Sequence, residues 1–546
     1  MFIRVKTTPN SPRKSVQVVA SVRRGDKVSQ KILRHVGIAM DEQELAQLKE
    51  LASQIVVKLK EEENPTLPLF PPEALQKKAS RSDEPLEVDL RDLREEQRVI
   101  EGIHEVGGSI FDELGFNRVL GAGVRSKNSS EILKNVVLAR LAQPVSKLRT
   151  AQLLENDFGV RLSVDRIYRM MDRIVPKITN IKEQVARETM GLLGHKVDVL
   201  LYDVTTLAFE SQQADELRNF GYSKDKKFNE VQVVLALATT KEGLPVWYEV
   251  FEGSTAETKT LIPALKKLSE RFNVKDIICV ADRAMLSKEN IQELQKCGFR
   301  YILGKRMRTM SAQQKQEVLN LKNEKDLSQG FTAEISLPDS QRLIVAYSPE
   351  RARKDASDRK RALERLNSKL KSKTTSTISL VNNTAAKKFM VEEPIGKLVL
   401  DESKIEEDAK WDGLYGICTN DKNLTHSEVN SHYKSLWHIE AAFRISKHDL
   451  KMRPIYHWTS DRIQAHCAIC FMTFALARHL EYRVSIQQKP MSFARIQEAL
   501  IGVQASILRH VKTKKLYRIP SKLSVIAKSV YSAVGIKRSV VPASIA

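Results

Sequence analysis

Apolar and polar positions change rhythm several times along the chain, and the changes divide it. Residues 2–36 alternate in short runs, Phe2-Ile-Arg-Val-Lys and Ser15-Val-Gln-Val-Val-Ala-Ser-Val, joined by Thr-Pro-Asn-Ser-Pro, which predicts a β-hairpin. A helix is predicted from about Asp41 to Lys60. Prolines 65, 68, 71, 72 and 85 then mark a linker. From about Leu90 to Gln184 the period is helical. Ser146–Phe158 and Val164–Val175, around the turn Gly159-Val-Arg-Leu-Ser with Ser163 as an N-cap, have the form of a helix-turn-helix. Arg161, Arg166, Arg169 and Arg173 would face DNA in that reading, and solvent in an ordinary helical hairpin.

At residue 196 the rhythm becomes that of a sheet. Strands are predicted at Val197–Val204, Val231–Ala238, Val246–Glu252, Asp276–Ala281 and Phe299–Gly304, with helices at Glu257–Phe272 and Ser287–Cys297. The order βββαβαβ makes an α/β sheet with three antiparallel strands first. About a hundred residues then break the pattern. They hold two alternating segments, at 332–337 and 342–347, and a helix from Pro349 to Lys373. Between Arg351 and Lys373 that helix carries ten Lys or Arg and three Asp or Glu, with Leu363, Leu366 and Leu370 on one face. A strand at 413–419 and a long helix from about Thr425 follow, and 455–546 reads as mostly helical with a basic tail.

Composition narrows the partners. Among 546 residues, 89 Lys and Arg against 67 Asp and Glu leave a formal charge of +22, which suits a polyanion. No apolar run approaches the ~18–20 residues that span a bilayer. The longest, Cys467–Leu480, is interrupted by Arg478 and His479 and reads as a buried helix. The first residues carry no signal-peptide core, so a cytoplasmic protein is expected. Five cysteines suggest no disulfide framework. Cys467 and Cys470 beside His466 could clip zinc, but no second pair follows at zinc spacing, so a buried helix is the expectation.

Three acidic residues carry the candidate chemistry. Asp203 ends an apolar strand and Asp282 follows another, so both would sit at a sheet-edge crevice where sites in open α/β sheets collect. Asp198, five positions before Asp203, would face the other way. Paired carboxylates repel one another, and a divalent cation relieves this; oxygen-only ligands favour Mg²⁺ or Mn²⁺ over zinc. The third is Glu440, on a predicted helix over Ser431–Lys447. There Tyr433, Glu440 and Lys447, seven apart, would line one stripe of ~21 Å at ~1.5 Å per residue.

At these residues the sequence resembles the DDE transposases of bacterial insertion sequences, and within them the group whose third acid lies in a Y-x2-R-x3-E-x6-K signature. Tyr433, Glu440 and Lys447 match it; Leu436 stands where the group has Arg, and Lys434 or Arg444 could supply the missing cation. Tyr202-Asp-Val-Thr-Thr and Ala281-Asp-Arg-Ala-Met match the first two motifs. The resemblance implies a ribonuclease-H-like mixed α/β sheet with flanking helices, interrupted by a β-rich insertion and preceded by an α-helical DNA-binding region. The regions would be 1–61 (hairpin and helix), 62–89 (linker), 90–190 (helix-turn-helix-like), 191–305 (core, first part), 306–410 (insertion), 411–455 (core, second part) and 456–546 (helical, basic). It also implies two-metal phosphoryl transfer with Asp203 bridging two ions and Asp282 and Glu440 on one each, Mg²⁺ as cofactor and Mn²⁺ as substitute. Tyr433, Lys447, Arg444 and Arg283 would contact DNA. The partners would be double-stranded terminal inverted repeats and target DNA, bound by a homodimer in the synaptic complex, with the protein cytoplasmic and nucleoid-associated. A ribonuclease-H-fold nuclease without strand joining, and a non-catalytic transposase-derived DNA-binding protein, are the competing readings.

Overall fold

The structure, a computed structural model, describes residues 2–7, 14–24, 27–39, 45, 49, 52, 87–121, 123–194, 197–222, 229–272, 277–338, 341–371, 388–392, 398–453 and 455–545. Most of the predicted helix at 41–60, and the linker up to residue 86, lie outside them. The chain forms two compact units: residues 1–106, 145–170 and 497–546, and residues 107–144 and 171–496.

The first unit draws on distant parts of the chain. Phe2–Thr7, Lys14–Arg24 and Lys27–Ala39 form an antiparallel three-stranded sheet. A second sheet has the order Ala543–Ile545, Leu516–Pro520, Gln504–His510, Leu93–Ile100. All four of these strands correct the helical reading of 90–190 and 456–546. Leu93–Ile100, LREEQRVI, has no local partner that would announce a strand; its ladder is made with residues some 400 positions later. Val99, Ala505 and Ile507 supply the buried apolar face. Next to them Glu101 is clasped by Arg518 and Arg538, the three side chains nearly inaccessible to solvent, so the acid is taken out of water with its partners already in place. The helices Lys147–Phe158 and Val164–Ile174 stand close to their predicted bounds. Ser146 caps the first, accepting from Arg149 N at 3.3 Å, and Gly159 ends it with a left-handed φ of 68°.

The second unit is built on one eight-stranded sheet. Its strands are β1 (Val199–Ala208), β2 (Gln232–Thr240), β3 (Pro245–Glu252), β4 (Ile278–Ala281), β5 (Arg300–Lys305), β6 (Phe331–Leu337), β7 (Gln341–Tyr347) and β8 (Leu414–Thr419), in the order β6-β7-β8-β5-β4-β1-β2-β3. β1 to β3 are antiparallel, β4 and β5 run parallel to β1, and β8, β7 and β6 add antiparallel strands at the far edge. The sheet is flanked by α1 (Ile178–Leu192), α2 (Leu261–Arg271), α3 (Lys288–Lys296), α4 (Pro349–Lys371), α5 (His426–Lys434), α6 (Trp437–Arg444) and α7 (Ser460–Gln487). β1 and β2 are apolar along nearly their whole length because both faces are covered. α7 buries residues over most of its length, Cys467 and Cys470 included.

The region 306–410 is not the β-rich insertion expected. Two of its strands, β6 and β7, extend the central sheet through β8, because the alternating apolar residues of β7 complete that sheet's core with Leu343, Val345 and Leu414. The rest of its described residues are mainly helical, and Leu363 and Leu366 of α4 pack on Phe389, Met390, Leu400 and Ile405.

α1 is pinned to β3 by a buried ion pair, Lys182 to Glu249 at 2.9 Å, with Trp247 Nε1 donating to the same carboxylate at 2.9 Å. Burial pulls the Lys182 ammonium below its usual range against the attraction of Glu249. Removing one partner strands the other charge in the interior. Lys182→Met is therefore expected to destabilise the protein by about 3 kcal/mol, measured by urea unfolding; a loss under about 0.5 kcal/mol would mean that Lys267, 3.0 Å away on the exposed side, holds Glu249 alone.

Candidate active site

The site is set by register. In the parallel pair β1–β4, Tyr202 lies opposite Ala281, so the next residues on the two strands, Asp203 and Asp282, emerge side by side. Alternation decides their face. Tyr202 goes into the core, where its hydroxyl donates to Thr260 Oγ1 at 2.9 Å, so Asp203 goes to the opposite face. The sequence reading placed Asp203 at a strand end; β1 instead continues to Ala208, because Val204–Ala208 keep pairing with β2 after β4 has turned away. Asp203 thus ends the parallel ladder rather than the strand. Its Oδ1 accepts from Val204 N at 2.7 Å. Asp282 caps a short turn, Arg283–Met285, accepting from Arg283 N at 2.7 Å. Asp198 is outside the site, paired with Lys241 at 3.0 Å.

Glu440 comes from α6, which packs against β1 and β2 through Ile439, Ala442 and Phe443. Asp203, Asp282 and Glu440 line one cleft of about 750 Å³, together with Tyr433, Lys434, Leu436 and Trp437. The sequence reading missed its opposite wall: Glu350, Arg351 and Lys354 of α4, and Tyr415 of β8. The excess of basic residues on α4 was the available signal, but nothing local says which turn faces the sheet. Arg351 lies over the Tyr415 ring at 5.2 Å.

The continuous helix expected over 431–447 is broken. α5 ends at Lys434, Ser435 and Leu436 make tighter i to i+3 turns, and α6 starts at Trp437. After Arg444 the backbone widens into a π-type turn to Asp449. Two changes of pitch in one stretch end the seven-residue stripe. Tyr433 and Glu440 still meet in the cleft, whereas Arg444 and Lys447 line neither it nor the cleft beside it; Arg283 lines only the latter. Leu436 occupies the joint.

Tyr433 is the organising side chain of the wall. Its hydroxyl rests on Gly304 of β5, where a Cβ would collide with it and would sit 3.0 Å from Arg283 N. Burial, together with the charge of the neighbouring Asp282 carboxylate, lifts the phenol's pKa to about 12, so it stays neutral.

Among the described residues no group of three His, Cys, Asp or Glu side chains stands close enough to form a metal cage as placed. The donor chemistry of the cleft nevertheless suits a hard divalent ion: carboxylate oxygens only, two of them on neighbouring strands in register. Cys467 and Cys470 are buried on α7, the helix expected for them. His466 Nε2 lies 3.0 Å from Met452 O and 3.4 Å from Cys470 Sγ, inside the core. All five cysteines are free, and among the described residues no helix is long and apolar enough to cross a membrane.

Residues 194–476 match the model of the transposase DDE domain, a span that begins just before β1 and contains all three carboxylates. The chain belongs to that family. It is therefore a DNA transposase, a metal-dependent enzyme of DNA cleavage and strand transfer. No curated protein matches it. Among solved structures it is similar to the piggyBac transposase synaptic complex with hairpin DNA, at 10% identity and a TM-score of 0.37 over 73% of this chain and 77% of that one. It is also similar to a pre-cleavage Mos1 transpososome (10%, TM-score 0.15, 31% and 58%) and to a Mos1 paired-end complex with the left transposon end (10%, 0.15, 31% and 57%). The transposase spans under two thirds of the Mos1 chains.

Because Gly304 makes room for Tyr433, Gly304→Ala should displace the phenol from Asp282. Strand cleavage is expected to fall about 100-fold, the usual cost of a ~1 Å misplacement, with DNA affinity within about threefold of wild type. Unchanged cleavage would show that Tyr433 does not position Asp282.

Proposed function

We propose that Asp203, Asp282 and Glu440 are the catalytic carboxylates of this transposase and that they hold Mg²⁺, with Mn²⁺ as substitute. The observation that carries this is the register of β1 and β4, which sets two carboxylates side by side in a cleft that Glu440 also lines. The strand order β3-β2-β1-β4-β5, with only β1, β4 and β5 parallel, supports a ribonuclease-H-like core. Bound divalent metal would stabilise charge on the phosphate and make water or a 3′-hydroxyl a better nucleophile.

The substrate is the element's own ends, double-stranded terminal inverted repeats, and then target DNA. Water oxygen bonds to phosphorus as the P–O3′ bond breaks, freeing a 3′-hydroxyl. That hydroxyl's oxygen then bonds to a phosphorus of the opposite or target strand and gives up its proton, while the attacked P–O3′ bond breaks and the leaving 3′-oxygen takes up a proton, a cut-and-paste sequence. The chain's own groups would orient these steps: Tyr433 stands beside Asp282 as a neutral phenol, and Arg283 would hold a phosphate. Contacts of Arg444 and Lys447 with DNA would have to be made outside the cleft. The helix pair at 147–174 is the candidate end-binding element, with Arg161 and Arg169 exposed for phosphate contact; Arg161 is shared with Glu155 at 3.2 Å. Synapsis of two ends calls for a homodimer, and the site of action would be the bacterial nucleoid in the cytoplasm.

Asp203→Ala, Asp282→Ala and Glu440→Ala should each abolish cleavage of a duplex carrying the repeats that flank the coding region, while binding it as well as the wild type does. Full cleavage by any one of them overturns the assignment. With a separate target duplex that lacks the repeats added, the wild type should give joined product; cleavage without joining would instead favour the nuclease reading.

A further inference from the structure

Beside the carboxylate cleft lies a second one, of about 530 Å³, and the two carry opposite charge. Five carboxylates and three cations line the first; seven cations and four carboxylates line the second. They share a wall made by Tyr433, Tyr415, Arg351 and Asp355.

The cations of the second cleft fall into two tiers. Arg308 and Lys388 are tied to Asp408, and Arg359 bridges Asp408 and Asp412. Burial raises the Asp408 carboxyl, but Lys388 and Arg308 outweigh it and keep the acid ionised, so this tier is locally neutralised. Arg283, Lys305 and Arg306 make no ion pair among the described residues, although the cleft's carboxylates lie nearby. Their places follow from the fold. Arg283 directly follows Asp282, and Lys305 and Arg306 directly follow Gly304, the residue on which Tyr433 rests. Three cations outside any ion pair in one concavity repel one another and favour a polyanion with several charges. Because the two clefts share the Tyr433 wall, a strand with one phosphate at the carboxylate cleft would carry its neighbouring phosphates toward these groups.

We propose that the second cleft is the seat of the phosphates next to the cleaved bond on the strand being cut, with Arg283, Lys305 and Arg306 as their ligands. The Asp408–Asp412 tier braces the far wall without competing for them. The proposal rests on the reading of Asp203, Asp282 and Glu440 as the place of cleavage. Cleavage ends with a free 3′-hydroxyl; a cleft that grips the adjoining phosphates keeps it at the carboxylates until a second strand arrives. Lys305 and Arg306 are therefore positioning residues, not catalytic ones.

The test uses the full chain and a duplex carrying the repeats that flank the coding region. Affinity is measured over a salt series for the wild type and for Lys305→Gln/Arg306→Gln. The slope of log affinity against log salt should become shallower by about 2, about 0.9 for each phosphate that is no longer neutralised. A single methylphosphonate next to the cleaved bond should weaken binding by the wild type and leave the double variant unaffected. Lys305→Arg/Arg306→Lys, which keeps both charges, should retain the wild-type slope; if the glutamine variant fails to fold, this variant and the methylphosphonate scan of the wild type decide the matter. An unchanged slope in a glutamine variant that folds and cleaves overturns the second cleft and leaves the carboxylates in place. Cleavage undiminished in Asp203→Ala overturns the underlying site instead.

Discussion

The site depends on one ladder. Four residues of β1, Val199–Tyr202, run parallel to four of β4, Ile278–Ala281, and the pairing ends where the two aspartates begin. A slip of one residue in either strand would send its aspartate into the core and bring its apolar neighbour out. The core opposes that slip, because Leu200, Tyr202, Cys279 and Ala281 are buried in one cluster with Leu261 and Leu265 of α2. Burying Asp203 in their place would carry the cost of an unpaired charge in an apolar interior. The same packing that holds the sheet together therefore fixes where the two acids emerge.

Around that ladder, charge is sorted by side. The end of the β1–β4 ladder and α6 supply three acids to one cleft, while the turn after β4 and the end of β5 supply cations to the next. Acidic and basic surfaces thus adjoin, and the wall they share carries a neutral phenol. Tyr433 can stand there because burial and the charge of Asp282 keep its phenol neutral, and β5 offers a glycine at the point of contact.

Much of this was legible in the residues, for local reasons. Apolar runs bounded by glycine and proline located β1 to β5 and β8 to within a few positions. The two aspartates stood out because each follows an apolar run with a polar turn after it. What was not legible depended on distant partners. Leu93–Ile100 shows no strand signal until residues 504–510 are beside it. β6 and β7 alternate as an independent hairpin would, and only β8, which reaches the central sheet through β5, makes them part of it. The joint at Ser435 and Leu436 contains no proline or glycine, so nothing in its composition announces the change of pitch that takes Lys447 off the stripe.

The sheet that pairs Leu93–Ile100 with Gln504–His510 has a consequence in time. A chain emerging from the ribosome delivers one edge of that sheet early and its neighbour only after the whole transposase domain has been made. All eight strands around the carboxylates are released first, by residue 419, and α6 soon after. The catalytic unit can collapse on its own segments while Val99 still lacks Ala505 and Ile507, and Glu101 still lacks both arginines. During that interval an unpaired strand edge and a lone acid are exposed on the nascent protein, the kind of surface a chaperone holds until translation is finished.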